Sequence, residues 1–470
     1  MPNSSEDVIK NKLRQIPSVE KILESPELQS DIEKFSHLLV ATAVKEAVKT
    51  IKEEVKKSNK EAYLQEILQK VKNIIHEQTS SSLQPVINAT GVILHTNLGR
   101  APLDEDTLSL IQKISTNYSN LEFDLKEGKR SKRGIFTEKL LCLFTSAESA
   151  LSVNNNAGAV LLILTALAKD KEVIVSRGEL VQIGGGFRIP EILALSGATL
   201  KEVGTTNQTI ISDYEKAITK ETALLLKVHQ SNFKMIGFVE RPSIHELVKL
   251  GKKHKLPVVE DMGSGVILRT EDFHLTHEPM VTEALSAGVD LICFSGDKLL
   301  GAPQAGIILG KKKYVDKLKK HPLHRVLRLD KMFLAGLESV LLYYLKGEAI
   351  KKIPVWQMIS TPVDVLQARA EKIQDELRTS GIELAIQKSQ STIGGGSLPG
   401  ETLPTVTISV SSVQSVDRSA NLQAKLFREQ SPPIIGRIEN DKLVLDLRTV
   451  FPHQDEILIS GIKSIFLKKG

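Results

Sequence analysis

The stretch ICFSGDKLLGAPQAGIILG, residues 292–310, predicts two buried strands joined by a polar turn that carries a lysine. The first apolar run ends at Phe294, Ser-Gly-Asp-Lys follows, and a turn containing glycine leads into the second run. Short apolar runs bounded by turn residues are typical of strands inside a sheet. In α/β proteins, ligands bind at the carboxyl ends of parallel strands. Lys298 follows such an end and is therefore a candidate for a ligand crevice.

Upstream of this stretch, β-rich runs alternate with helical ones from about residue 150. Such alternation indicates βαβ units and a largely parallel sheet, and hence an α/β fold class. The predicted strands are 172–176, 199–203, 223–228, 257–260, 291–295 and 306–309. The helices predicted between them include 158–169, 211–219, 242–254 and 279–287.

The first 80 residues predict a polar helical region, because residues 36–75 contain neither Gly nor Pro. Apolar residues recur there at helical spacing and form one stripe: Leu38, Val40, Ala43, Ala47, Val48 and Ile51. Lysines occupy the other faces, mixed with glutamates. The lysines are Lys45, Lys49, Lys52, Lys56, Lys57 and Lys60, and the glutamates are Glu46, Glu53, Glu54 and Glu61. Two interpretations stay open, a solvated face with ion pairs between successive turns or a basic arm for a nucleic-acid backbone.

The end of the chain predicts a small α+β domain. TVTISV at 405–410 is a strand candidate, a helix is expected near 417–430, and IENDKLVL predicts a hairpin that turns at Asn440 and Asp441. We therefore predict three domains: an N-terminal helical domain, a large α/β domain and a small C-terminal domain. Their predicted ranges are 1–80, 81–335 and 336–470.

Composition excludes several classes of protein. The chain has 470 residues, 41% hydrophobic and 25% charged, which excludes a disordered chain, a collagen-like fibre and a disulfide scaffold. Cys142 and Cys293 lie in apolar runs without any CxxC pair, so two buried reduced thiols are expected and no metal site is predicted. With no signal-peptide core and no run of about 18 apolar residues, a cytoplasmic protein without a membrane span is expected. The net charge of +6 tolerates an anionic partner without establishing one.

Two further features combine with Lys298 into a recognisable chemistry. LPVVEDMGSG (256–265) places Asp261 just after another apolar strand, 37 residues before Lys298 and thus one crossover away. A desolvated lysine can form a Schiff base, and a carboxylate can keep the ring nitrogen of pyridoxal phosphate protonated. LSVNNNAGAVLLILTAL (151–167) predicts a strand, a small-residue turn and a helix whose N-terminus suits the cofactor phosphate.

Each of these features alone has an ordinary explanation. Lys298 can be a surface lysine, Asp261 a turn former or helix cap, and NNNAGA a structural turn. Their order along the chain, each at a strand end, favours a pyridoxal-phosphate enzyme.

The sequence as a whole resembles bacterial selenocysteine synthases, the L-seryl-tRNA(Sec) selenium transferases, over essentially its full length. The segments that carry the resemblance are LRQIPSVEKIL (13–23), INATGVILHTNLGRAPL (87–103), YSNLEFDLKEGKRSKR (118–133), SRGELVQIGGGFRIPEI (176–192), KVHQSNFKMIGF (227–238), FSGDKLLGAPQAG (294–306), HPLHRVLRLDK (321–331) and GGGSLPGETLP (394–404). The resemblance implies the aspartate aminotransferase-like fold (fold type I) with a mostly parallel central sheet. It also implies an N-terminal tRNA-binding domain, a cytoplasmic ring-like homodecamer built from dimers, and pyridoxal 5'-phosphate as cofactor.

The activity implied is conversion of seryl-tRNA(Sec) to selenocysteyl-tRNA(Sec) by β-elimination of the serine hydroxyl and addition of selenium from selenophosphate. The resemblance implies that Lys298 carries the cofactor as an internal aldimine and that Asp261 holds its ring nitrogen. By analogy within the fold, Ser295 and the turn Asn156, Ala157 and Gly158 hold the phosphate.

An arginine-rich substrate site is also implied, and confined guanidinium groups suit a small multiply charged anion such as selenophosphate. The matching residues are Arg100, Arg133, Arg325 and Arg328. Arg325 and Arg328 are expected on one helical face. Asp297 is a candidate for assisting proton transfer, with a turn residue as the alternative. The chain departs from the family at Ser131 and Lys132, where Gly-Ser is usual, and at Ala302, where the family often has glycine.

Alternative functions stay open from the sequence. One is a pyridoxal enzyme, a β-eliminating lyase or transferase, that acts on a free small amino acid. Another is a nucleic-acid-binding protein without catalysis, although the combination of Lys298 and Asp261 argues against it. Arg448, in LDLRTV, is either a contact for the substrate's acceptor end or a structural residue.

Overall fold

A computed structural model describes residues 5–58, 61, 63–183, 186–412 and 419–467. Lys60 and the first residues of the helix predicted near 417–430 lie outside this description. The chain divides into two compact units, Met1–Pro85 and Val86–Gly470. Within the described residues, no helix is both long and apolar enough to cross a membrane.

The described part of the first unit is helical, as the sequence predicts. Its helices are α1 Ser5–Gln15, α2 Val19–Leu23, α3 Pro26–Phe35, α4 His37–Ser58 and α5 Leu64–Thr79. The apolar stripe of α4 is buried against α5 and the shorter helices, with Val40, Ala47 and Ile51 in the core. The prediction is wrong for Leu38, which is 77% exposed. Leu38 lies seven residues, about two turns, before Lys45 and so shares the lysine-bearing face.

The second unit contains a seven-stranded sheet with the order β4-β12-β11-β10-β9-β5-β8. Its strands are β4 Ser149–Val153, β5 Glu172–Ser176, β8 Thr199–Val203, β9 Thr222–Val228, β10 Val258–Gly263, β11 Leu291–Ser295 and β12 Gly306–Gly310. Strand β12 pairs antiparallel with β11 and β4, whereas the other pairs of this sheet are parallel, so the predicted, mostly parallel sheet is confirmed. Strands β5, β8 and β11 have the bounds predicted from sequence.

A five-stranded sheet with the order β1-β15-β16-β14-β13 forms a second layer of the same unit. Its strands are β1 Ile87–Ala89, β13 Glu383–Thr392, β14 Thr402–Ser412, β15 Ile434–Glu439 and β16 Lys442–Asp446. The predicted hairpin is confirmed: Asn440 and Asp441 have φ of 49° and 58°, as a type I′ turn requires. Two short hairpins complete the strands: β2 Phe123–Asp124 with β3 Lys129–Arg130, and β6 Gln182–Ile183 with β7 Phe187–Arg188.

Helices cover the sheets and bury their apolar faces. They are α6 Glu105–Ser115, α7 Ile135–Thr145, α8 Asn156–Ala168, α9 Ile189–Ser196, α10 Ile211–Ala217, α11 Ile244–His254, α12 Val281–Ala287, α13 Lys312–Lys320, α14 Pro322–Val326, α15 Lys331–Leu345, α16 Ala349–Lys352, α17 Pro354–Ser360, α18 Val363–Arg378, α19 Ala420–Arg428 and α20 Asp455–Phe466. Cys293 is buried in β11, whereas Cys142 in α7 is only partly buried, and both are free thiols. Helix α15 runs across residue 336, where the sequence places a domain boundary, and that boundary remains a prediction.

Candidate active site

Three neighbouring parallel strands bring polar residues to the same edge of the large sheet. Strand β10 lies between β9 and β11, and Asp261 pairs with Val228 on one side and Cys293 on the other. Ser231 follows the end of β9, and Lys298 follows the end of β11. The carboxyl ends of parallel strands meet at one edge, which is where α/β proteins bind ligands.

Lys298 is buried, with 4% of its surface exposed. Its Nζ donates a hydrogen bond to the carbonyl oxygen of Gly396 at 3.2 Å. Burial lowers the pKa of this amine, although the carboxylates of Asp261 and Asp297 act in the opposite direction and limit the change. A lysine in such surroundings is a more available nucleophile and base than a surface lysine.

Asp261 is 3% exposed and lies inside β10, since the strand extends to Gly263 rather than ending before the aspartate as the sequence predicts. Its Oδ1 accepts hydrogen bonds from Asn156 Nδ2 at 2.8 Å and from the Gly263 N–H at 3.1 Å. Burial raises the pKa of this carboxyl, and the bonds from Asn156 and Gly263 together with the charge of Lys298 oppose the rise. The carboxyl is therefore held in one position facing the lysine.

The start of helix α8 lies at this same edge. Asn155 caps the helix by accepting the Gly158 N–H at 2.8 Å, while the Asn156 side chain is held by Asp261. Asn156 and Ala157 thus offer backbone N–H groups of a first helical turn, which bind anions. Ser295, the last residue of β11, pairs with Gly306, and a Cβ on Gly306 would lie 2.1 Å from the Asn155 carbonyl oxygen. Ser295 and the helix start are therefore neighbours.

Asp297 and Arg100 form an ion pair beside Lys298, with Arg100 Nη1 2.8 Å from Asp297 Oδ2. Arg100 adopts a left-handed backbone conformation with φ of 62°, directly after Gly99 with φ of 90°. The charge of Arg100 contributes to the lowered pKa of Lys298. The tight turn thus places a guanidinium close to the lysine from a segment about 200 residues away in sequence.

Two of the other predicted arginines, Arg133 and Arg328, form a separate cluster around Glu122 together with Arg130. Arg133 and Arg328 approach Glu122 Oε1 at 3.0 and 3.5 Å, and Arg130 approaches Oε2 at 3.3 Å. These residues line a cavity of about 720 Å³, and within the described part of the chain its lining does not include Lys298. The cavity wall also carries lysines and a histidine: Lys132, Lys312, Lys319, Lys320 and His324.

Arg325 and Arg328 do not share a helical face, so that prediction is wrong. Helix α14 ends at Val326, and Arg328 forms an antiparallel bridge with Val153 at the edge of the large sheet. Arg325 is exposed on the helix. Helix α14 begins at Pro322 and is only five residues long, because the chain soon reaches Arg328, which pairs with the edge of the large sheet.

Arg448 has a structural environment. It is buried, and its guanidinium donates to the carbonyl oxygens of Met358, Thr361 and Pro404 at 2.6, 2.9 and 2.5 Å. Burial lowers its pKa. These contacts agree with a structural role for Arg448, which is one of the two alternatives that the sequence leaves open.

Sequence reasoning missed two groups that touch the space around Lys298. A Cβ built on Gly396 would lie 3.1 Å from Lys298 Nζ and 3.4 Å from Ser231 Oγ, and the backbone φ of 74° at this position also favours glycine. Ser231 comes just after a strand next to that of Asp261. The rule that polar residues at adjacent strand ends converge is the signal that points to it.

Glu260 is a second buried carboxyl on β10, on the opposite side of the strand from Asp261. It is 5% exposed, and burial raises its pKa to about 7 despite the nearby charges of Lys227 and His229. The carboxylates of Glu179 and Asp261 add to the rise. Because its pKa is higher in the folded state than in the unfolded chain, Glu260 lowers the free energy of unfolding as the pH rises from about 4.5 to about 7, and this loss is complete above pH 7.

The Glu260→Gln variant is therefore expected to increase the free energy of unfolding at pH 8 by up to about 3 kcal/mol. At pH 5 the gain should fall below about 1 kcal/mol, because Glu260 of the folded wild type is then still protonated. Urea unfolding at both pH values measures this difference. The exposed control Glu221→Gln should change stability by less than about 0.5 kcal/mol at either pH. Equal effects of Glu260→Gln at pH 5 and pH 8 would contradict the prediction.

Comparison with known proteins places the chain in a family. A family model described as L-seryl-tRNA selenium transferase matches residues 86–451, and one described as selenocysteine synthase N-terminal matches residues 13–50. The chain belongs to the L-seryl-tRNA selenium transferase family. The family predicted by resemblance is thus confirmed, and its match includes every candidate site residue named above.

Relatives in this family match along nearly their whole length. The L-seryl-tRNA(Sec) selenium transferase of Carboxydothermus hydrogenoformans is 46% identical, over 94% of this chain and 95% of that protein. The protein of the same name from Aquifex aeolicus is 44% identical, over 95% of this chain and 97% of its own length.

Among solved structures, D-glucosaminate-6-phosphate ammonia-lyase is similar in fold. Its TM-score is 0.59 at 20% identity, over 84% of this chain and 98% of that chain. The aspartate aminotransferase-like, fold type I architecture predicted for this chain is confirmed.

Proposed function

We propose that this chain converts L-seryl-tRNA(Sec) to L-selenocysteyl-tRNA(Sec) with pyridoxal 5'-phosphate and selenophosphate. The names of its relatives describe those proteins as selenium transferases that act on L-seryl-tRNA(Sec). The observation that carries the proposal is the buried Lys298 amine facing the buried Asp261 at adjacent strand ends. An amine and a carboxylate in this arrangement fit the aldehyde and the ring nitrogen of that cofactor.

The residues around Lys298 fit the cofactor. Asp261 is held by Asn156 and Gly263, so that it can accept a hydrogen bond from a pyridinium N–H, which would also favour its ionised form. The first turn of α8 and Ser295 supply donors for the phosphate. Gly263 and Gly396 leave open space where any side chain would meet Lys298 Nζ.

When bound, pyridoxal phosphate supplies an electron sink for the pair of electrons left when a substrate Cα–H bond breaks. Lys298 is the base for that proton, because its amine is desolvated and its pKa is lowered. Water is excluded from the amine by the Gly394–Gly396 turn above it, whose last carbonyl accepts its hydrogen bond.

The serine hydroxyl leaves Cβ as water, which requires a proton donor close by. Asp297 is buried beside Lys298, and its bond to Arg100 fixes its orientation. Lys298 holds the α-proton that it has taken and can pass it to this oxygen. We assign Asp297 to assisting that transfer and Arg100 to stabilising the charge that develops there. Selenium then forms a bond to Cβ while its bond to phosphorus breaks with uptake of water, and phosphate is released.

The selenophosphate anion requires concentrated positive charge, which Arg100, Arg133, Arg325 and Arg328 can supply. In one chain, Arg133 and Arg328 share the carboxylate of Glu122 in a cluster separate from the surroundings of Lys298, and Arg325 is exposed. We expect a homo-oligomer built from dimers, most simply a decamer. In such an assembly the Glu122 cluster of one subunit can face Lys298 of another, which accounts for their separation within one chain.

The test is a single-turnover reaction of the purified protein with pyridoxal phosphate, seryl-tRNA(Sec) and selenophosphate. The expected product is selenocysteyl-tRNA(Sec). It is measured as selenium that is bound to the tRNA and is released when mild base hydrolyses the aminoacyl ester. Omission of selenophosphate should leave serine unconverted or dehydrated without any selenium product. Free serine in place of the charged tRNA is the matched control.

Turnover of free serine to pyruvate and ammonia, together with inert seryl-tRNA(Sec), would contradict the proposal and favour a lyase of small amino acids. Failure of the protein to take up pyridoxal phosphate at all would favour a protein without catalysis.

A further inference from the structure

Ser231 is the most completely buried polar side chain beside Lys298 whose hydrogen-bonding capacity is unused. It is 1% exposed, and its Oγ has no hydrogen-bond partner among the described residues. A buried hydroxyl without a partner costs about 1–3 kcal/mol of stability, so native proteins rarely keep one without a purpose. The hydroxyl therefore calls for a ligand that binds in the adjoining space.

Its position is fixed by the backbone that follows β9. The Ser231 N–H donates to the His229 carbonyl at 3.0 Å, and the His229 N–H donates to the Asp261 carbonyl at 2.8 Å. The side chain thus belongs to the same framework as the carboxyl that faces Lys298. This arrangement orients Ser231 independently of any ligand.

The free hydroxyl and the lysine amine border one small space. A Cβ on Gly263 would lie 3.4 Å from Ser231 Oγ and 3.7 Å from Lys298 Nζ, and one on Gly396 would lie 3.4 and 3.1 Å from the same atoms. The amine gives its hydrogen bond to Gly396 and leaves the hydroxyl without a partner. A ligand joined to the amine would therefore pass close to Ser231 Oγ.

We propose that the Ser231 hydroxyl donates a hydrogen bond to the ionised 3-hydroxyl oxygen of pyridoxal phosphate. This inference rests on the proposed function, because it takes Lys298 as the residue joined to the cofactor. That oxygen and the aldehyde carbon are on neighbouring ring atoms, so a donor next to the lysine nitrogen is next to the oxygen as well. Ser231 is a positioning residue in this account, and it touches the cofactor rather than the substrate.

The bond has a measurable consequence. The nitrogen that joins Lys298 to the cofactor, when protonated, also donates to the 3-oxygen. A second donor therefore stabilises the negative oxygen most when that nitrogen has lost its proton. Ser231 should thus make the proton easier to lose, and removing the hydroxyl should shift the change in the visible spectrum to higher pH.

The experiment is a pH titration of the visible absorbance of the full-length protein loaded with pyridoxal phosphate. In Ser231→Ala the midpoint is expected to rise by about one pH unit, which matches the loss of one hydrogen bond to a charged oxygen. Ser231→Thr, which keeps the hydroxyl, should restore the wild-type midpoint. If Ser231→Ala does not fold, Ser231→Cys provides the same readout because a thiol is a weak donor.

Ser397→Ala is the matched control. Ser397 is also a buried serine with an unpartnered hydroxyl, but the atoms nearest a Cβ on Gly263 belong to Ser231 and Lys298 and not to Ser397. Its midpoint should equal that of the wild type. An unchanged midpoint in Ser231→Ala, or an equal shift in Ser397→Ala, would overturn the assignment of Ser231. The proposed function would still stand in that case, provided that the wild type shows the visible band. A wild-type protein without any visible band would overturn both.

Discussion

Replacement of Lys298 by alanine is expected to abolish the visible absorbance of the cofactor-loaded protein and to lower single-turnover selenium transfer by at least about 10⁴-fold. The variant loses the amine that joins the cofactor and the base that removes the substrate's α-proton. Its fold should persist, because alanine removes a costly buried amine whose described hydrogen bond is to the Gly396 carbonyl. Absorbance spectra, circular dichroism and the transfer assay measure these three outcomes.

The lysine that is joined to the cofactor can be identified by peptide mapping. Borohydride reduction of the loaded wild-type protein should leave the pyridoxyl group on the peptide that contains Lys298, as located by mass spectrometry. Lys255→Ala, at an exposed lysine, should keep the absorbance and the activity. Retention of the visible band in Lys298→Ala, or the label on another lysine, would refute the account of the site.

The sequence predicted the parts of the fold that short-range patterns specify. The bounds of β5, β8 and β11 agree with the prediction, because a charged residue or a glycine ends each run: Lys171 and Arg177 flank β5, Gly204 follows β8, and Asp290 and Gly296 flank β11. The hairpin at Asn440 and Asp441 was predictable because both residues tolerate positive φ. Leu38 was predicted wrongly because apolar character alone does not fix the side of a helix on which a first-turn residue lies.

From the sequence, only those site residues that lie at the ends of strands could be predicted. Lys298 and Asp261 follow from that rule, since their strands are adjacent. The hydrogen bond between Lys298 and Gly396 joins residues 98 positions apart, and that between Asn156 and Asp261 joins residues 105 apart. No local pattern encodes such contacts, because they depend on how the second sheet and helix α8 pack on the large sheet.

The arginines illustrate the same limit. Arg100 lies beside Asp297, but Arg133 and Arg328 meet at Glu122, a residue that the sequence analysis did not single out. The departure at Ser131 leaves the loop anchored, because the Ser131 N–H donates to the Glu122 carbonyl at 2.9 Å. The turn therefore delivers Arg133 to Glu122 without the family's usual glycine.

Binding of tRNA by the first unit can be tested at helix α4, which has exposed lysines along one face. Lys45, Lys49, Lys52 and Lys56 are exposed and follow one another at intervals of four, three and four residues. They therefore form one stripe, which we call the lysine stripe, opposite the buried apolar face. We propose that this stripe contacts the phosphate backbone of the tRNA.

Changing all four lysines of the lysine stripe to glutamine is expected to weaken binding of seryl-tRNA(Sec) by about 100-fold to 1,000-fold at 0.15 M salt. The slope of log K against log salt should fall by about three, because four neutralised phosphates no longer release counterions. The cofactor's visible band should be unchanged, since the site near Lys298 belongs to the second unit. Filter binding or fluorescence titration at several salt concentrations measures both the affinity and the slope.

The matched control changes four exposed lysines in or just after α11, Lys249, Lys252, Lys253 and Lys255, to glutamine, which alters the net charge by the same amount. If tRNA binding depended only on the overall positive charge, both variants would lose affinity equally. A loss confined to the lysine-stripe variant assigns the contact to α4, because both variants carry the same net charge. Equal losses, or an unchanged salt slope in the stripe variant, would show that the stripe is only the solvated face of a helix.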